Sequence, residues 1–218
     1  TSLFPSDARP RHGIFVETRL ARLAATGAVE ARVVAPVPWF PIDARWCGRY
    51  AEYARTPRTA ERGGLAVRYP RYFMLPAVGM GFQPDAMAGA ALRAVRAFAA
   101  EGYDCDVIDA HYFYPDGVAA AAVARRLGKP YTITARGSDI NLIGGMAGPR
   151  RRMLAAARGA AALIAVSEAL RDRMGALGMP VERIAVLRNG VDARLFAPTE
   201  RGAAREAFAL PADAPVLA

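Results

Sequence analysis

Asp106-Val-Ile-Asp-Ala-His111, Thr132-Ile-Thr-Ala-Arg-Gly-Ser-Asp139 and Val186-Leu-Arg-Asn-Gly-Val-Asp192 occur in that order, each an apolar run that stops at polar, turn-prone or titratable residues. Short runs of this kind read as buried strands. In a parallel α/β sheet, ligands meet the carboxyl ends of the strands. The order therefore puts a histidine, an Arg-Gly-Ser-Asp and an Asn-Gly where such a sheet does chemistry. The intervals between them leave room for one helix or two per crossover.

The pattern continues outward in both directions. Leu3-Phe4 reads as the end of a first strand whose beginning is missing, and residues 5–12 as a polar loop. Ile14, Val16, Leu20 and Leu23 fit a buried helical stripe after Gly13. Strands are expected at residues 29–35, 65–69, 105–110, 131–134, 161–166 and 184–187. Helices are expected at 84–100, with Leu92, Val95 and Phe98 inward, and near 115–127 and 149–158. A further helix starts at Ser167-Glu168, an N-cap followed by a first-turn acid. Residues 36–63 and 70–83 read as irregular, rich in prolines, arginines and aromatics. Strands alternating with helices imply a Rossmann-like parallel sheet with helices on both faces. Residues 212–218 look like the opening of another strand, so the chain reads as a fragment cut near a domain junction.

The chain has 218 residues, 53% apolar and 22% charged, which suits a soluble globular domain with a sizeable core. No apolar run approaches the ~18–20 residues of a membrane span. No signal peptide is visible at the start. Cys47 and Cys105 form neither a metal spacing nor a disulfide framework, which suggests incidental thiols in a reducing cytoplasm. The net charge of +9 favours anionic partners. Lys129 is the sole lysine among 29 basic residues, so coding bias toward arginine competes with that reading. Such bias does not explain the excess over acids. A nucleic-acid binder needs a basic stripe with a recognisable motif, and none is present.

Each candidate site residue has a functional and a structural reading. Arg9-Pro-Arg-His-Gly13 lies between a strand and a helix, where glycine and free helix N–H groups suit phosphate. It is also an ordinary loop. His111 has an unperturbed pKa near neutrality and suits a general base, or it is a core histidine satisfied by backbone. Arg136 can clamp a phosphate bidentately. Asp139 can accept sugar hydroxyls or cap a turn. Asn189-Gly190 is a turn dipeptide. Two histidines far apart and few clustered carboxylates predict no metal site.

Taken together, Phe4-Pro5, Pro10, His12-Gly13-Ile-Phe-Val-Glu17, Arg32-Val-Val-Ala-Pro36, Asp106-Val-Ile-Asp-Ala-His111, Arg136-Gly-Ser-Asp139, Val166-Ser-Glu168 and Leu187-Arg-Asn-Gly-Val-Asp192 resemble the N-terminal domain of family 4 retaining glycosyltransferases of GT-B architecture. No single piece is specific; the ordered set covers nearly the whole chain. The resemblance implies an acceptor-side domain over residues 1–195. Residues 196–218 would be a linker and the start of a donor-binding domain whose Glu-x7-Glu motif lies beyond Ala218. It implies a nucleotide-diphosphate-sugar as donor substrate and no cofactor or metal. By position, Gly13 is the loop glycine near donor phosphate, and His111 the strand-end histidine beside the reacting sugar. Ser138, Asp139 and Asn189 join them as substrate-binding candidates. Arg136 stands where many members have histidine. The implied setting is surface polysaccharide or glycolipid synthesis in the cytoplasm, peripheral at the inner membrane face. The acceptor would be a sugar or a polyprenyl-diphosphate-linked sugar. Trp39, Phe40, Phe73, Met74 and Met80 beside arginines suit an anionic lipid surface. The competing reading is a non-catalytic carbohydrate- or nucleotide-binding module.

Overall fold

The computed structural model describes residues 1–39, 48–74 and 79–216. Residues 1–4 carry no regular secondary structure, and Thr1 bonds to two later strands. The Thr1 nitrogen donates to the Val34 carbonyl at 3.0 Å, and the Thr1 hydroxyl donates to the His111 carbonyl at 2.9 Å. The chain then enters helix α1 (Ile14–Ala24). Strands β1 (Arg32–Val34) and β2 (Val37–Pro38) follow, then α2 (Arg49–Arg55), β3 (Thr59–Arg62), β4 (Leu65–Arg68) and β5 (Arg71–Tyr72). β1 pairs with β4 and β2 with β5, all parallel. Pro36 and Pro70, which lack a donor, interrupt the ladder. Bonds from the Ala35 amide to the Arg68 carbonyl and from the Val37 amide to the Pro70 carbonyl bridge the break, at 2.8 and 3.0 Å.

The second half runs α3 (Gln83–Ala100), β6 (Ile108–His111), α4 (Val118–Leu127), β7 (Tyr131–Ala135), α5 (Ser138–Asn141), α6 (Ala147–Gly159), β8 (Ala162–Ala165), α7 (Glu168–Ala176), β9 (Ile184–Val186) and α8 (Arg201–Ala207). β6 to β9 form a four-stranded, all-parallel sheet in sequence order. Side chains alternate across a strand. One face therefore carries Ala110, Ile133, Leu163 and Ile184, buried against Met153 of α6 and Met174 of α7. The other carries Asp109 and His111, in register with Thr132 and Thr134. Burying those apolar side chains stabilises the sheet by roughly 1.5–3 kcal/mol for each large one.

The expected α/β architecture is present, with differences in detail. The parallel strands fall into two groups, and Thr1 bonds to both. Residues 36–63 are not wholly irregular. They contain α2 and β3, an edge strand antiparallel to β4. The β3–β4 turn is Gly63-Gly64, at φ 56° and 75°, which a two-residue hairpin requires. The predicted α1 stripe is narrower than expected: Val16 is buried, but Ile14 and Leu23 are 49% and 47% exposed. At 3.6 residues per turn, Ile14 points away from the Val16 face. Leu92 and Phe98 of α3 are buried, and Val95 is half-buried. Ser167 caps α7 by accepting from the Leu170 amide at 3.2 Å. Residues 212–216 form no strand among the described residues. Phe40 and Cys47 lie outside the described residues; Cys105 is half-buried, and burial pushes its thiol pKa up.

Candidate functional site

His111 ends β6, Arg136 follows β7, Asn189 follows β9, and Phe15 stands in the first turn of α1. The fold joins all four. Arg136 Nη2 lies 2.7 Å from His111 Nδ1, and Arg136 Nη1 donates to Asn189 Oδ1 at 3.0 Å. The guanidinium carbon sits 4.9 Å from the Phe15 ring centroid. On its other side, His111 Nε2 is 3.1 Å from Asp109 Oδ2. A guanidinium can only donate. Nδ1 must therefore accept, and Nε2 carries the proton and donates to Asp109.

The titration tendencies agree with this assignment. Burial holds the His111 pKa below its ordinary value, Arg136's charge adds to that, and Asp109 only partly opposes it. Burial and the charge of Arg19 bring Arg136 down to about 10. For Asp109, burial acts upward. Its bonds from His111 and from the Thr132 hydroxyl at 2.6 Å outweigh that and leave it at about 2. At neutral pH the row is a carboxylate, a neutral imidazole and a guanidinium. Both ring nitrogens of His111 are engaged by protein.

The Arg136-Gly-Ser-Asp139 turn divides into two roles. Asp139 is fully buried. Its carboxylate accepts from the amides of Phe113 at 2.7 Å, Gly137 at 2.8 Å and Arg136 at 3.1 Å. It ties the end of β7 to the segment after β6. Burial raises its pKa, and the backbone donors oppose that rise. Ser138 Oγ lies 2.8 Å from the Tyr112 hydroxyl. Tyr112 holds φ at 85°, a conformation that costs a non-glycine residue roughly 1–3 kcal/mol. That turn aims the next amide, of Phe113, at Asp139.

Gly13 has φ 72°, and a Cβ there would lie 2.4 Å from the Leu3 carbonyl carbon. Close backbone packing thus accounts for the glycine. His12 repeats the pattern of His111. Its Nδ1 faces Arg9 Nη2 at 3.0 Å, and its Nε2 faces the Ser2 carbonyl at 3.1 Å. Its pKa is also lowered, by burial first and then by Arg9. Beside it lies a cavity of about 270 Å³ whose walls include Arg9, His12, Tyr53, Tyr72, Gln83 and Tyr112. Aromatic faces with amide and hydroxyl groups between them suit a sugar ring. Sequence reasoning expected His111, Arg136 and Gly13 to converge at one edge; the structure joins His111 and Arg136 directly, and Phe15, two residues past Gly13, reaches the Arg136 guanidinium. Phe15 itself was missed; its signal was its place in the first turn of the helix that Gly13 opens.

Residues 18–195 match the model of Glycosyltransferase Family 4. The chain is 31% identical over 144 residues to the Bacillus subtilis (strain 168) protein named "Putative teichuronic acid biosynthesis glycosyltransferase TuaC". That match covers 65% of this chain and 36% of the relative. The crystal structure of Anabaena Alr3699/HepE in complex with UDP-glucose superposes with a TM-score of 0.53 at 19% identity, over 95% of this chain and 47% of that one. The same protein in complex with UDP gives 0.50 at 17% identity, over 82% and 50%. These structural likenesses bear on the fold alone. The chain spans between about a third and a half of the length of these relatives. The family match covers most of the sequence and takes in the strand-end residues: this chain belongs to glycosyltransferase family 4.

Proposed function

We propose that the chain is the acceptor-side part of a retaining glycosyltransferase that uses a nucleotide-diphosphate-sugar in surface polysaccharide or glycolipid synthesis. The observation that carries this is the joining of His111, Arg136, Asn189 and the first turn of α1 at the carboxyl edge of the sheet, in a chain of this family. The teichuronic acid biosynthesis named for the Bacillus relative and the UDP-glucose in the Anabaena complex support the polysaccharide setting and the donor class. The tyrosine-lined cavity beside His12 receives the acceptor sugar. Basic side chains and the α1 N-terminus stabilise the leaving diphosphate, so no metal is required.

His111 acts here by hydrogen bonding. Neutral and protonated at Nε2, it holds Arg136 through Nδ1, so the guanidinium meets the substrate in a fixed pose. A rearrangement on substrate binding that frees Nδ1 would let it accept a hydroxyl proton instead. Trp39, Phe73 and Met80 are 48%, 56% and 43% exposed. They support a peripheral position on an anionic lipid surface, with a polyprenyl-diphosphate-linked acceptor. Met74 is half-buried and packs inward.

The test is sugar transfer by the protein at its natural length, offered UDP-glucose and other nucleotide-sugars with free and lipid-linked acceptors. Product with the donor's anomeric configuration, read by proton NMR, is expected. Inversion would overturn the retaining assignment. Binding of nucleotide-sugar without any transfer would favour a non-catalytic module.

A further inference from the structure

Beside His12 lies the cavity of about 270 Å³ that the transferase reading gives to the acceptor. Sites for drug-sized ligands hold ~300–1,000 Å³, so this one takes a single sugar-sized ring. Arg9 and His12 are its only cationic residues among the described ones, and no carboxylate lines it. Both are already engaged by protein. Arg9 Nε lies 3.3 Å from Glu52 Oε2, and its Nη2 lies 3.0 Å from His12 Nδ1. A guanidinium only donates, so Nδ1 accepts and His12 is neutral, with Nε2 donating to the Ser2 carbonyl at 3.1 Å. The cavity therefore carries no uncompensated charge.

Tyr72 and Gln83, on the same cavity wall, are less fully used. Tyr72 ends β5 and Gln83 begins α3, and Gln83 Nε2 donates to the Tyr72 hydroxyl at 3.0 Å. Neither side chain makes another hydrogen bond among the described residues. A phenol donates as well as accepts, and an amide carries an acceptor oxygen beside its N–H₂. The Tyr72 O–H and Gln83 Oε1 are thus both unused. Turning the amide over reverses the bond and still leaves a donor and an acceptor. Tyr72 is 4% exposed, and a buried O–H with no acceptor is unfavourable. A ligand hydroxyl, which accepts and donates at once, completes both groups.

We propose that the cavity selects an uncharged, hydroxyl-bearing ring as acceptor, and that Tyr72 and Gln83 are specificity residues that read one of its hydroxyls. Tyr72 donates to that hydroxyl and Gln83 accepts from it. A ring without the hydroxyl leaves both protein groups unpaired, and a site of this kind rejects such an analogue far more strongly than an apolar pocket does. An acidic ring gains little, because it must compete with Glu52 for Arg9. This rests on the transferase reading above and deepens it, by naming the acceptor class and the residues that recognise it.

The test titrates glucose, galactose and N-acetylglucosamine into the chain, with glucuronate as the charged counterpart, and follows the tyrosine ring signals by ¹H–¹³C NMR. The tightest neutral sugar is then compared with its monodeoxy analogues. A neutral sugar should bind more tightly than glucuronate, and one deoxy analogue should bind roughly tenfold or more weakly, the loss for two hydrogen bonds left unmade. In Tyr72→Phe the penalty for that analogue should shrink while the penalties for the others stay. A Tyr72 that only anchors α3 would lower the affinity for every sugar alike, so this non-additivity separates contact from support. No response to any neutral sugar, tighter binding of glucuronate, or equal deoxy penalties in wild type and Tyr72→Phe overturns the proposal. If Tyr72→Phe does not fold, Gln83→Leu decides by the same comparison. Sugar transfer by the natural-length protein whose preference among deoxy acceptors is unchanged in Tyr72→Phe removes only this inference. Hydroxyl-specific binding in a natural-length protein that transfers no sugar removes only the transferase reading.

Discussion

Replacing Asp139 by alanine should destabilise the fold more than any substitution at the site that merely removes a substrate contact. Its carboxylate is the partner of three backbone amides, of Phe113, Gly137 and Arg136. The Phe113 bond is wholly buried, and stranding that donor costs ~1–3 kcal/mol. The amides of Gly137 and Arg136 sit in half-buried residues and can recover water, so each adds ~0.5–1 kcal/mol. Against this, alanine removes a carboxylate whose burial is itself unfavourable, as its raised pKa shows. The net loss is about 2–4 kcal/mol, a large share of the ~5–15 kcal/mol that holds a domain together. Asp139→Asn keeps one acceptor oxygen but turns an N–H₂ toward the amides, so it should fall between wild type and alanine. Urea denaturation followed by far-ultraviolet circular dichroism reads this directly as a lowered midpoint at constant slope. An alanine variant within about 0.5 kcal/mol of wild type, below the range for a stranded buried donor, would refute the latch.

Arg136→Met should raise the His111 pKa, because it removes both the guanidinium on Nδ1 and its charge and leaves Asp109 in place; imidazole ¹⁵N NMR checks this, and an unchanged value would contradict the tautomer assignment. In wild type, the lowered His111 pKa contributes stability that is complete above the unfolded value of about 6.5 and fades as pH falls toward the folded value. Asp109 contributes in the same direction at lower pH: its part is present above about 3.9 and is lost as pH falls toward about 2. Gly13→Ala should cost about 2 kcal/mol or more in urea denaturation, since the new Cβ meets the Leu3 backbone and the backbone is left-handed; a neutral result would mean the loop shifts freely. Residues 1–218 alone should show no sugar turnover, and robust transfer by them would refute the acceptor-side assignment. Binding to anionic vesicles should rise with the anionic lipid fraction and fall with salt, and Trp39→Ala with Phe73→Ala should weaken what persists at high salt; no sedimentation at low salt would remove the membrane proposal.

The parallel strands were legible because Val-Ile-Asp-Ala-His111 and Ile-Thr-Ala-Arg136 are short, largely apolar runs that stop sharply. The convergence at the site followed, since each stop lies at a carboxyl end. Thr59–Arg62 escaped notice because it is an edge strand of four residues, Thr-Ala-Glu-Arg, with no buried side chain. The short helix Arg49–Arg55 is embedded in a proline-rich stretch that masks its periodicity. Asp139 could not be resolved from sequence. Whether a carboxylate after Gly-Ser faces a cleft or a neighbouring backbone depends on where Phe113 arrives, and that is set by Tyr112 at positive φ.

The net charge of +9 looks, as a bare number, like an electrostatic signal for a polyanion. The structure divides it differently. Arg183 donates to the carbonyls of Arg158 and Ala160 at the end of α6, where a cation offsets the helix dipole. Arg205 donates to the carbonyls of Pro211 and Ala214, and Arg71 to that of Thr56. Arg32 and Arg68 lie over the Phe98 ring, and Arg9 over Tyr53. A guanidinium serves all these positions because it is planar, weakly hydrated and forked, which an ammonium is not. Arg71, Arg183 and Arg205 thus add charge while serving carbonyls, and Arg9, Arg32 and Arg68 each serve a carboxylate as well as a ring. None of these six marks a ligand. Arg136 differs: it spans His111 and Asn189 at the edge where the strands end, and there the charge has a local meaning that the total does not.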